Sequence, residues 1–435
     1  MSSKSDLPAE KFPGWQEAGF QTLKRTVRFP LSRSGRELPY TGIPPHELAI
    51  LVPDLIFCLE QREVHNGYTI NGYTINGNTI DGGFLPEKFL FFDLETTGLG
   101  GSGTVAFLAA FGRLSPGAGL DLRPTLRIDQ YLLLDFPGEY DFLTAVVSEF
   151  NADQAGCPPL VVTYNGKAFD SQILKTRCLM NGIETPEYRH ADLLHPSRRL
   201  WKRMLPDCSQ AQIETSILGL DRTGDIPGAL APEIWFNFLK NGENEGTSGS
   251  AVRALLGICE HNARDISGLA GIFCALSEIA AAPQTAERYF CDTENLALQW
   301  RKALRRNGGL FEDSVHETGK KLLENAVLYP LSAPRAALVL GADLLREASL
   351  AASDEEKDRL LQEGRRLLLE MSRNSSAAVQ LRCLALRSLA VDAEHRRRDN
   401  QTALAFVETA LQLEGLGGRA REDLLKRQER LKRSL

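Results

Sequence analysis

The sequence of 435 residues predicts a mixed α/β domain followed by an all-α domain. Between residues 86 and 282, apolar segments with strand character alternate with segments whose apolar residues recur at helical spacing. Three hairpin-linked strands followed by alternating helices and strands are typical of a mixed sheet with helices on both faces. From residue 283 to residue 435 only the helical spacing continues, which indicates a separate helical domain.

The elements of the α/β domain follow from the residues in each segment. Runs rich in Phe, Val, Ile, Leu and Tyr predict strands, and longer runs with apolar residues three and four apart predict helices. The predicted strands cover residues 89–95, 104–114, 126–134, 160–165 and 188–194. The predicted helices cover residues 139–150, 169–180 and 249–280. The domain therefore closes with a long helix after its last strand.

Residues 1–85 are predicted to be a mixed lead-in segment, rich in Gly, Pro and Arg, that could form a few strands. A repeat of period five, NGYTI, NGYTI and NGNTI, runs from residue 66 to residue 80. Asn-Gly favours turns and Tyr-Thr-Ile favours strands, so short strand pieces separated by turns are expected. Three units of five residues are too short for a solenoid core. The repeat is interpreted as a tolerated insertion, and a binding loop is the alternative.

Residues 283–435 are predicted to form six or seven helices with short polar breaks. Helices of this length and spacing favour antiparallel helical hairpins stacked as an α-solenoid. Their length is near the two-helix period of a tetratricopeptide repeat, but the Trp, Gly, Tyr and Pro residues that mark this repeat are mostly missing. The prediction is therefore a tetratricopeptide-like helical repeat that binds a protein partner or the tail of a substrate.

Composition and charge exclude several classes of protein. Hydrophobic residues make up 43% and charged residues 24%, which excludes a disordered chain and a long coiled coil. The net charge of −6 disfavours a protein that coats nucleic acid through bulk charge, although a local basic groove is compatible with it. Eight scattered cysteines predict reduced core thiols rather than a structural zinc site. The sequence shows neither a signal peptide nor a membrane-spanning apolar run, so a cytoplasmic protein is expected.

Four acidic residues point to a metal site. Asp93 and Glu95 are two apart on a predicted strand, so both side chains lie on one face of an otherwise apolar segment. Such a pair is unfavourable unless cations neutralise it, and hard divalent metals with oxygen ligands do so. Asp170 falls near the first turn of the helix after the fourth strand, and Asp265 lies one helical turn after His261. Carboxylates delivered in this way can hold two metal ions about 4 Å apart, the arrangement used in phosphodiester hydrolysis.

Each of these signals also has a purely structural explanation. The strand pair could face solvent, Asp170 could cap its helix, and His261 with Asp265 could form a surface pair. Their order along the chain and their placement on the predicted elements favour the metal site. In such a site the histidine can orient or deprotonate a water molecule.

Three motifs occur in a fixed order: D-x-E-T-T-G, then N-G-x-x-F-D, then H-x-x-x-D on a terminal helix. This order resembles the DEDD 3′-to-5′ exonucleases of the RNase H-like superfamily, and residues 86–275 are similar to the YprB-like bacterial branch. The resemblance implies an RNase H-like sheet in which Asp93, Glu95, Asp170 and Asp265 bind two Mg²⁺ or Mn²⁺ ions. Asp93 would then bridge both ions.

The resemblance also implies roles for residues near these ligands. His261 would activate the water, although His-type members usually place this histidine five residues before the last Asp, and here the spacing is four. Thr96, Thr97 and Gly98 would approach the terminal nucleotide, with Asn165 nearby. The Gly-rich stretch after Gly98 is interpreted as a hairpin turn, since no Lys-Ser or Lys-Thr follows it as in a phosphate-binding loop.

A basic run after the last predicted β-strand could contact single-stranded nucleic acid. Arg198 and Arg199 offer phosphate contacts and Trp201 offers a stacking surface, although a solvated helix face explains the run equally well. The predicted function is a metal-dependent 3′-to-5′ exonuclease acting on the 3′ ends of single-stranded DNA or RNA. The alternatives are a structure-specific endonuclease and a non-catalytic nucleic-acid-binding scaffold built on a nuclease fold with helical repeats.

Overall fold

A computed structural model describes residues 11–30, 32–33, 36–37, 44–57, 72–75, 78–81, 84, 88–98, 100–101, 103–115, 125–151, 158–242, 248–328 and 333–435. The chain divides into two compact units, one ending at Asp292 and one covering Thr293–Leu435. The first unit holds the main sheet, and the second is helical.

Seven strands form the main sheet of the first unit. They are β1 (Gln16–Gly19), β2 (Thr22–Pro30), β3 (Phe89–Thr96), β4 (Ala106–Ser115), β5 (Thr125–Leu133), β6 (Leu160–Thr163) and β7 (Arg189–Asp192). Their order across the sheet is β1-β2-β5-β4-β3-β6-β7. The β3–β6 and β6–β7 pairs are parallel, and the other pairs are antiparallel. The structure therefore confirms the mixed sheet, with β3 to β7 at the five predicted positions.

The N-terminal segment contributes two strands to this sheet. β2 pairs with β5 along its whole length, from Thr22 opposite Leu133 to Pro30 opposite Thr125. β1 pairs with β2 and forms the edge of the sheet. The sheet thus includes residues that the sequence assigns to a lead-in segment before residue 86.

Five helices of eight or more residues accompany the sheet in the described part of the first unit. They are α1 (Glu139–Ser148), α2 (Asp170–Met180), α3 (Leu194–Trp201), α4 (Ala231–Asn241) and α5 (Ser248–Ala281). Shorter helical turns cover Leu48–Leu51, Pro53–Leu55, Phe136–Gly138, Gln210–Ile213, Glu214–Leu218, Gly228–Leu230 and Pro283–Tyr289. The long α5 is the closing helix that the sequence predicts at 249–280.

Helix α5 lies on the face of the sheet to which the odd-numbered residues of β3 point. The ring of Phe273 on α5 lies 4.6 Å from that of Phe89 and 5.4 Å from that of Phe91, measured between centroids. Side chains alternate along a strand, so Asp93 and Glu95 share this face. On this face of β3, Phe89 and Phe91 are therefore followed by the acidic residues Asp93 and Glu95.

Part of the period-five repeat forms a small hairpin. Gly72–Ile75 pairs antiparallel with Asn78–Asp81, so the second and third units supply the two strands. The expected strand pieces are confirmed here, and the first unit at 66–70 lies outside the described residues. A second small hairpin pairs Ser32–Arg33 with Arg36–Glu37.

The second unit consists of helices, as the sequence predicts. They are α6 (Thr293–Asn307), α7 (Asp313–Ala326), α8 (Pro334–Glu347), α9 (Asp354–Arg373), α10 (Val379–His395), α11 (Asn400–Leu411) and α12 (Gly418–Arg433), with a short turn at Gly308–Leu310. Successive helices contact each other and share apolar clusters. Helices α8 and α9 approach closely, because a Cβ atom at Gly341 would lie 3.1 Å from the carbonyl oxygen of Gly364. The tetratricopeptide-like character of these helices stays a prediction.

Two further expectations concern cysteines and membranes. Cys58 and Cys157 lie outside the described residues, and the other six cysteines are free thiols, five of them buried. Within the described ranges, the helices are too short or too polar to cross a membrane.

Candidate metal centre

The end of β3 carries the first two predicted ligands. Asp93 and Glu95 are half-buried on the face that meets α5. Asn262 of α5 donates a hydrogen bond from Nδ2 to Oδ2 of Asp93 over 2.8 Å. Asn262 is fully buried, and its Oδ1 accepts a hydrogen bond from Nε2 of Gln130 over 2.8 Å. A buried polar chain therefore orients the first carboxylate against the helix.

Asp170 reaches the same edge from the start of α2. It is only 4% exposed, and the backbone of Leu94 on β3 lies close enough to lower the pKa of its carboxylate. Gly166 permits this position, because a Cβ atom there would lie 2.8 Å from Oδ2 of Asp170. The N-cap of α2 is Phe169, so Asp170 lies inside the helix and is not its capping residue.

Asp192 holds the turn that leads to Asp170. Its Oδ1 accepts from the backbone N–H groups of Asn165 over 2.8 Å and Leu194 over 3.0 Å, and its Oδ2 accepts from that of Lys167 over 3.2 Å. Asn165 has a φ of 68°, a left-handed conformation that asparagine tolerates better than most residues. Asp192 thereby supports the turn, and Asn165 is exposed at the tip of that turn.

Helix α5 supplies the third group of ligands. His261 and Asp265 are one turn apart, with Nε2 of the histidine 3.2 Å from Oδ2 of the aspartate. Each of Glu95, His261 and Asp265 offers one ligand atom, and these atoms lie within 4.8 Å of one another. The structure thus brings together residues that are about 170 positions apart in the sequence.

The carboxylates strongly influence one another's protonation. Burial raises the pKa of Asp93 well above its usual value, and the charges of Asp170, Asp265 and Glu95 raise it further. Burial also raises the pKa of Glu95 well above its usual value, with added contributions from Asp265 and Asp170. Burial raises the pKa of Asp170 to about 7. All four predicted carboxylates therefore lie close enough to repel one another.

Divalent metal ions fit this set of donors. Carboxylate oxygens are the ligands that Mg²⁺ and Mn²⁺ prefer, and the mutual repulsion of the carboxylates is relieved by positive charge between them. Asp93, Glu95, Asp170 and Asp265 are the residues that could hold such ions. The solvent-facing, capping and surface-pair alternatives do not account for this convergence.

This electrostatic arrangement predicts an unusual pH dependence of stability. In the metal-free protein, lowering the pH from 8 to 6 should raise the melting temperature of the first unit. The folded-state pKa of Asp170 is about 7, above an unfolded value of about 3.9, so the penalty for its charge is present above pH 7 and is relieved below it. One such group should raise the free energy of unfolding by about 1.4 kcal/mol between pH 8 and pH 6. Calorimetry in EDTA measures the effect.

The variant Asp170→Asn is the control for this measurement. Its side-chain amide has nearly the same size and shape as the carboxyl group, but it has no carboxyl group to protonate. Its melting temperature should therefore change less between pH 8 and pH 6 than that of the wild-type chain. Equal pH dependence in both chains would contradict the assigned pKa shift.

An arginine that sequence reasoning missed lies beside the carboxylates. Arg222 contacts both Oδ1 of Asp265 and Oε2 of Glu214 and lies 3.2 Å from Oδ2 of Asp225. Although burial opposes its charge, Asp265 and Glu214 raise the pKa of Arg222. Gly268 leaves room for Glu214, since a Cβ atom there would lie 1.7 Å from its Oε1. No short motif marks Arg222, and its contact with Asp265 joins residues 43 positions apart.

A second missed residue orients the histidine. Oδ2 of Asp225 lies 2.9 Å from Nδ1 of His261, which leaves Nε2 directed at Asp265. Gly228 lies against the ring, because a Cβ atom at this position would be 2.9 Å from Nε2. In the sequence, both contacts to the ring come from the short DIPG stretch at 225–228.

The predicted nucleotide-contacting residues after β3 close a hairpin. The hydroxyl of Thr96 donates to the carbonyl oxygen of Gly98 over 2.7 Å. Thr97 exchanges two hydrogen bonds with Val105: its N–H donates to the carbonyl oxygen, and its hydroxyl accepts from the N–H, both over 2.9 Å. These residues follow Glu95 directly and border the carboxylates. Their contact with a nucleotide stays a prediction.

Trp201 does not offer the stacking surface that the sequence predicts. Its side chain is fully buried, and Nε1 donates to the carbonyl oxygen of Tyr289 over 2.8 Å. Arg198 is exposed and Arg199 is half-buried on the same helix, α3. The prediction is wrong for Trp201, because this residue lies on the apolar side of α3 and packs into the core. Arg198 lies on the exposed side of the helix.

Comparison with known proteins defines the class to which this fold and site belong. Residues 90–277 match the family model RNase_H_2, described as the RNase_H superfamily. This part of the chain holds β3 to β7 and all the candidate ligands, and it is similar to that superfamily.

One relative of the chain comes from Bacillus subtilis (strain 168) and bears the name "Uncharacterized protein YprB". It is 31% identical over 257 residues. The aligned region covers 57% of this chain and 57% of the relative, so the chain spans little more than half the length of that protein.

Proposed function

We propose that the protein is a divalent-metal-dependent nuclease that removes nucleotides from the 3′ end of single-stranded nucleic acid. The observation that carries the proposal is the convergence of Asp93, Glu95, Asp170 and Asp265 at one edge of an RNase H-like sheet. A binding scaffold gains nothing from four mutually repelling carboxylates, because they oppose both folding and the approach of phosphates.

The ligands have distinct places in this proposal. Two Mg²⁺ or Mn²⁺ ions would activate the attacking water and stabilise charge on the departing 3′ oxygen. Asp93 is influenced by all three other carboxylates and would hold the ions together with them. Glu95, Asp170 and Asp265 complete the set from β3, α2 and α5.

His261 is proposed to accept the proton of the attacking water. If Nδ1 donates to Asp225, the lone pair of Nε2 faces the carboxylates and is free to take a proton. Asp265, 3.2 Å from Nε2, stabilises the protonated ring. The four-residue spacing between His261 and Asp265 therefore still delivers the ring to the site, although related enzymes use a spacing of five.

Cleavage of end-labelled strands tests the proposal. The purified full chain is incubated with 5′-labelled single-stranded DNA or RNA in Mn²⁺, Mg²⁺ or EDTA. We expect a ladder that shortens from the 3′ end in either metal and no cleavage in EDTA. The comparison of DNA with RNA identifies the sugar that the site accepts.

Two modified substrates separate this activity from the alternatives. A 3′-terminal phosphorothioate block should slow an exonuclease and leave internal cleavage unaffected. Cleavage of a circular single strand would identify an endonuclease and contradict the 3′-end assignment. Binding without cleavage of any strand in either metal would show that the chain is a scaffold.

A further inference from the structure

The helical second unit contains three contiguous clefts. The first, of about 360 Å³, lies among α6, α7 and α8. The second, of about 330 Å³, lies between α8 and α10, and the third, of about 810 Å³, lies between α10 and α12. Arg346 lines the first and second clefts, and Leu384 and Arg387 line the second and third. The three clefts are therefore neighbours along the unit, from α6 to α12.

Positive charge is concentrated in these clefts. Ten Lys and Arg side chains line them against three carboxylates. The basic residues are Arg301, Arg305, Lys320, Arg346, Arg387, Arg396, Arg419, Lys426, Arg427 and Arg430. The whole unit has 25 basic and 21 acidic residues, so the remainder of its surface is more acidic than basic. We call this surface the basic groove.

Not all of this charge is offset by ion pairs. Asp343 contacts two of the arginines, and Glu394 contacts two others. Among the residues that the structure describes, Arg305, Arg387 and Arg419 form no ion pair, and all three are exposed. Arg305 lines the first cleft, Arg387 lines the second and third, and Arg419 lines the third. Each cleft thus contains at least one free guanidinium.

The arginines of the third cleft crowd one another. Burial lowers the pKa of Arg427, and the charges of Arg430 and Arg387 lower it further, against the opposing effect of Glu394. Like charges held together in this way favour a bound anion, because an anion relieves their repulsion. The floor of the same cleft includes Leu384, which is 44% exposed and offers apolar surface beside the charges.

We propose that the basic groove binds the phosphodiester backbone of a single-stranded nucleic acid. Cations spread over three contiguous clefts suit a ligand whose negative charges repeat along a chain, as phosphates do. An isolated anion would occupy one cleft and leave the others unused. The inference rests on the proposed function for its ligand class, which comes from the RNase H-like domain, but binding in the groove requires no cleavage.

Charge reversal at the free arginines tests this proposal. The variant carries Arg305→Glu, Arg387→Glu and Arg419→Glu in the full chain. Anisotropy of fluorescein-labelled dT30 and rU30 is measured in EDTA, where no metal-dependent cleavage occurs. We expect the Kd to rise by about tenfold or more and the salt slope to fall by about 2, since each lost contact with a single strand removes about 0.7.

A matched variant carries the same change in charge elsewhere in the unit. Lys357→Glu, Arg359→Glu and Arg373→Glu alter exposed α9 side chains that line none of the three clefts. This control should keep its affinity within about twofold, and circular dichroism should show that both variants are folded. An equal loss of affinity in both variants would overturn the proposal.

Two further results distinguish the possible failures. If poly-glutamate displaces dT30 as well as unlabelled dT30 does, the groove binds an acidic polypeptide and our assignment of the ligand is wrong. If the wild-type chain binds through the groove but cuts no strand, the proposed function fails and the groove proposal stands. If the wild-type chain cuts strands and the groove variant binds them as tightly as the matched control does, the groove proposal fails and the proposed function stands.

Discussion

Replacing Asp93 with asparagine should abolish metal-dependent cleavage and at the same time stabilise the metal-free protein. Asp93 lies among three other carboxylates, so loss of its charge removes repulsion as well as a proposed metal ligand. We expect the cleavage rate to fall by about 10³-fold or more. The free energy of unfolding in EDTA should rise by about 1–4 kcal/mol. Cleavage assays and calorimetry measure the two effects.

Asp129→Asn is a matched substitution that should change stability in the opposite direction. It is also buried on a strand of the same sheet, but it accepts a hydrogen bond from Thr26 over 2.6 Å and pairs with Arg127 at 3.0 Å and Arg113 at 3.7 Å. Asp129→Asn should lower stability by about 1–3 kcal/mol and preserve cleavage below the melting temperature. If Asp93→Asn also lowers stability, or if it leaves cleavage intact, the metal site is wrongly assigned.

Replacing Trp201 with alanine should destabilise the first unit by about 3–5 kcal/mol. The indole is fully buried, so truncation leaves a cavity and removes the hydrogen bond from Nε1 to the carbonyl oxygen of Tyr289. A tryptophan that stacked a base would behave differently, because its removal would weaken strand binding by about 1–3 kcal/mol and spare stability. Urea unfolding of the full chain, with strand affinity measured below the transition, separates these outcomes.

Arg198→Ala is the comparison for this experiment. Arg198 lies on the same helix and is exposed, so its removal should change the unfolding midpoint very little. Trp201→Phe should fall between the wild-type and alanine chains, because a phenyl ring fills part of the cavity. If Trp201→Ala unfolds at the same urea concentration as the wild-type chain but binds single strands more weakly, Trp201 has the stacking role after all.

Local periodicity accounts for the parts of the site that could be predicted. Side chains alternate along a strand, so the spacing of Asp93 and Glu95 was sufficient to place them on one face. The four-residue spacing of His261 and Asp265 was sufficient to place them one helical turn apart. These rules depend only on backbone geometry, which is the same wherever the element packs.

Long-range packing decided the parts that could not be predicted. Arg222 and Asp225 lie in a segment without regular spacing, and their partners are Glu214 and residues of α5. Trp201 stands in an Arg-rich segment that is compatible with a solvated surface, and its burial depends on Tyr289, 88 positions later. No local pattern contains such pairings.

The sequence by itself determined the mixed sheet, the helical second unit and the identities of the four carboxylates, because strand and helix periods are local properties. Only the tertiary structure decided that these carboxylates converge and that Arg222 and Asp225 join them. It also decided that β2 joins the sheet by pairing with β5 about 100 residues later, with β1 beside β2 at the edge. It also revealed the basic groove, whose charges come from five helices. Convergence of this kind depends on which surfaces pack together, and packing is a property of the whole chain rather than of any one segment.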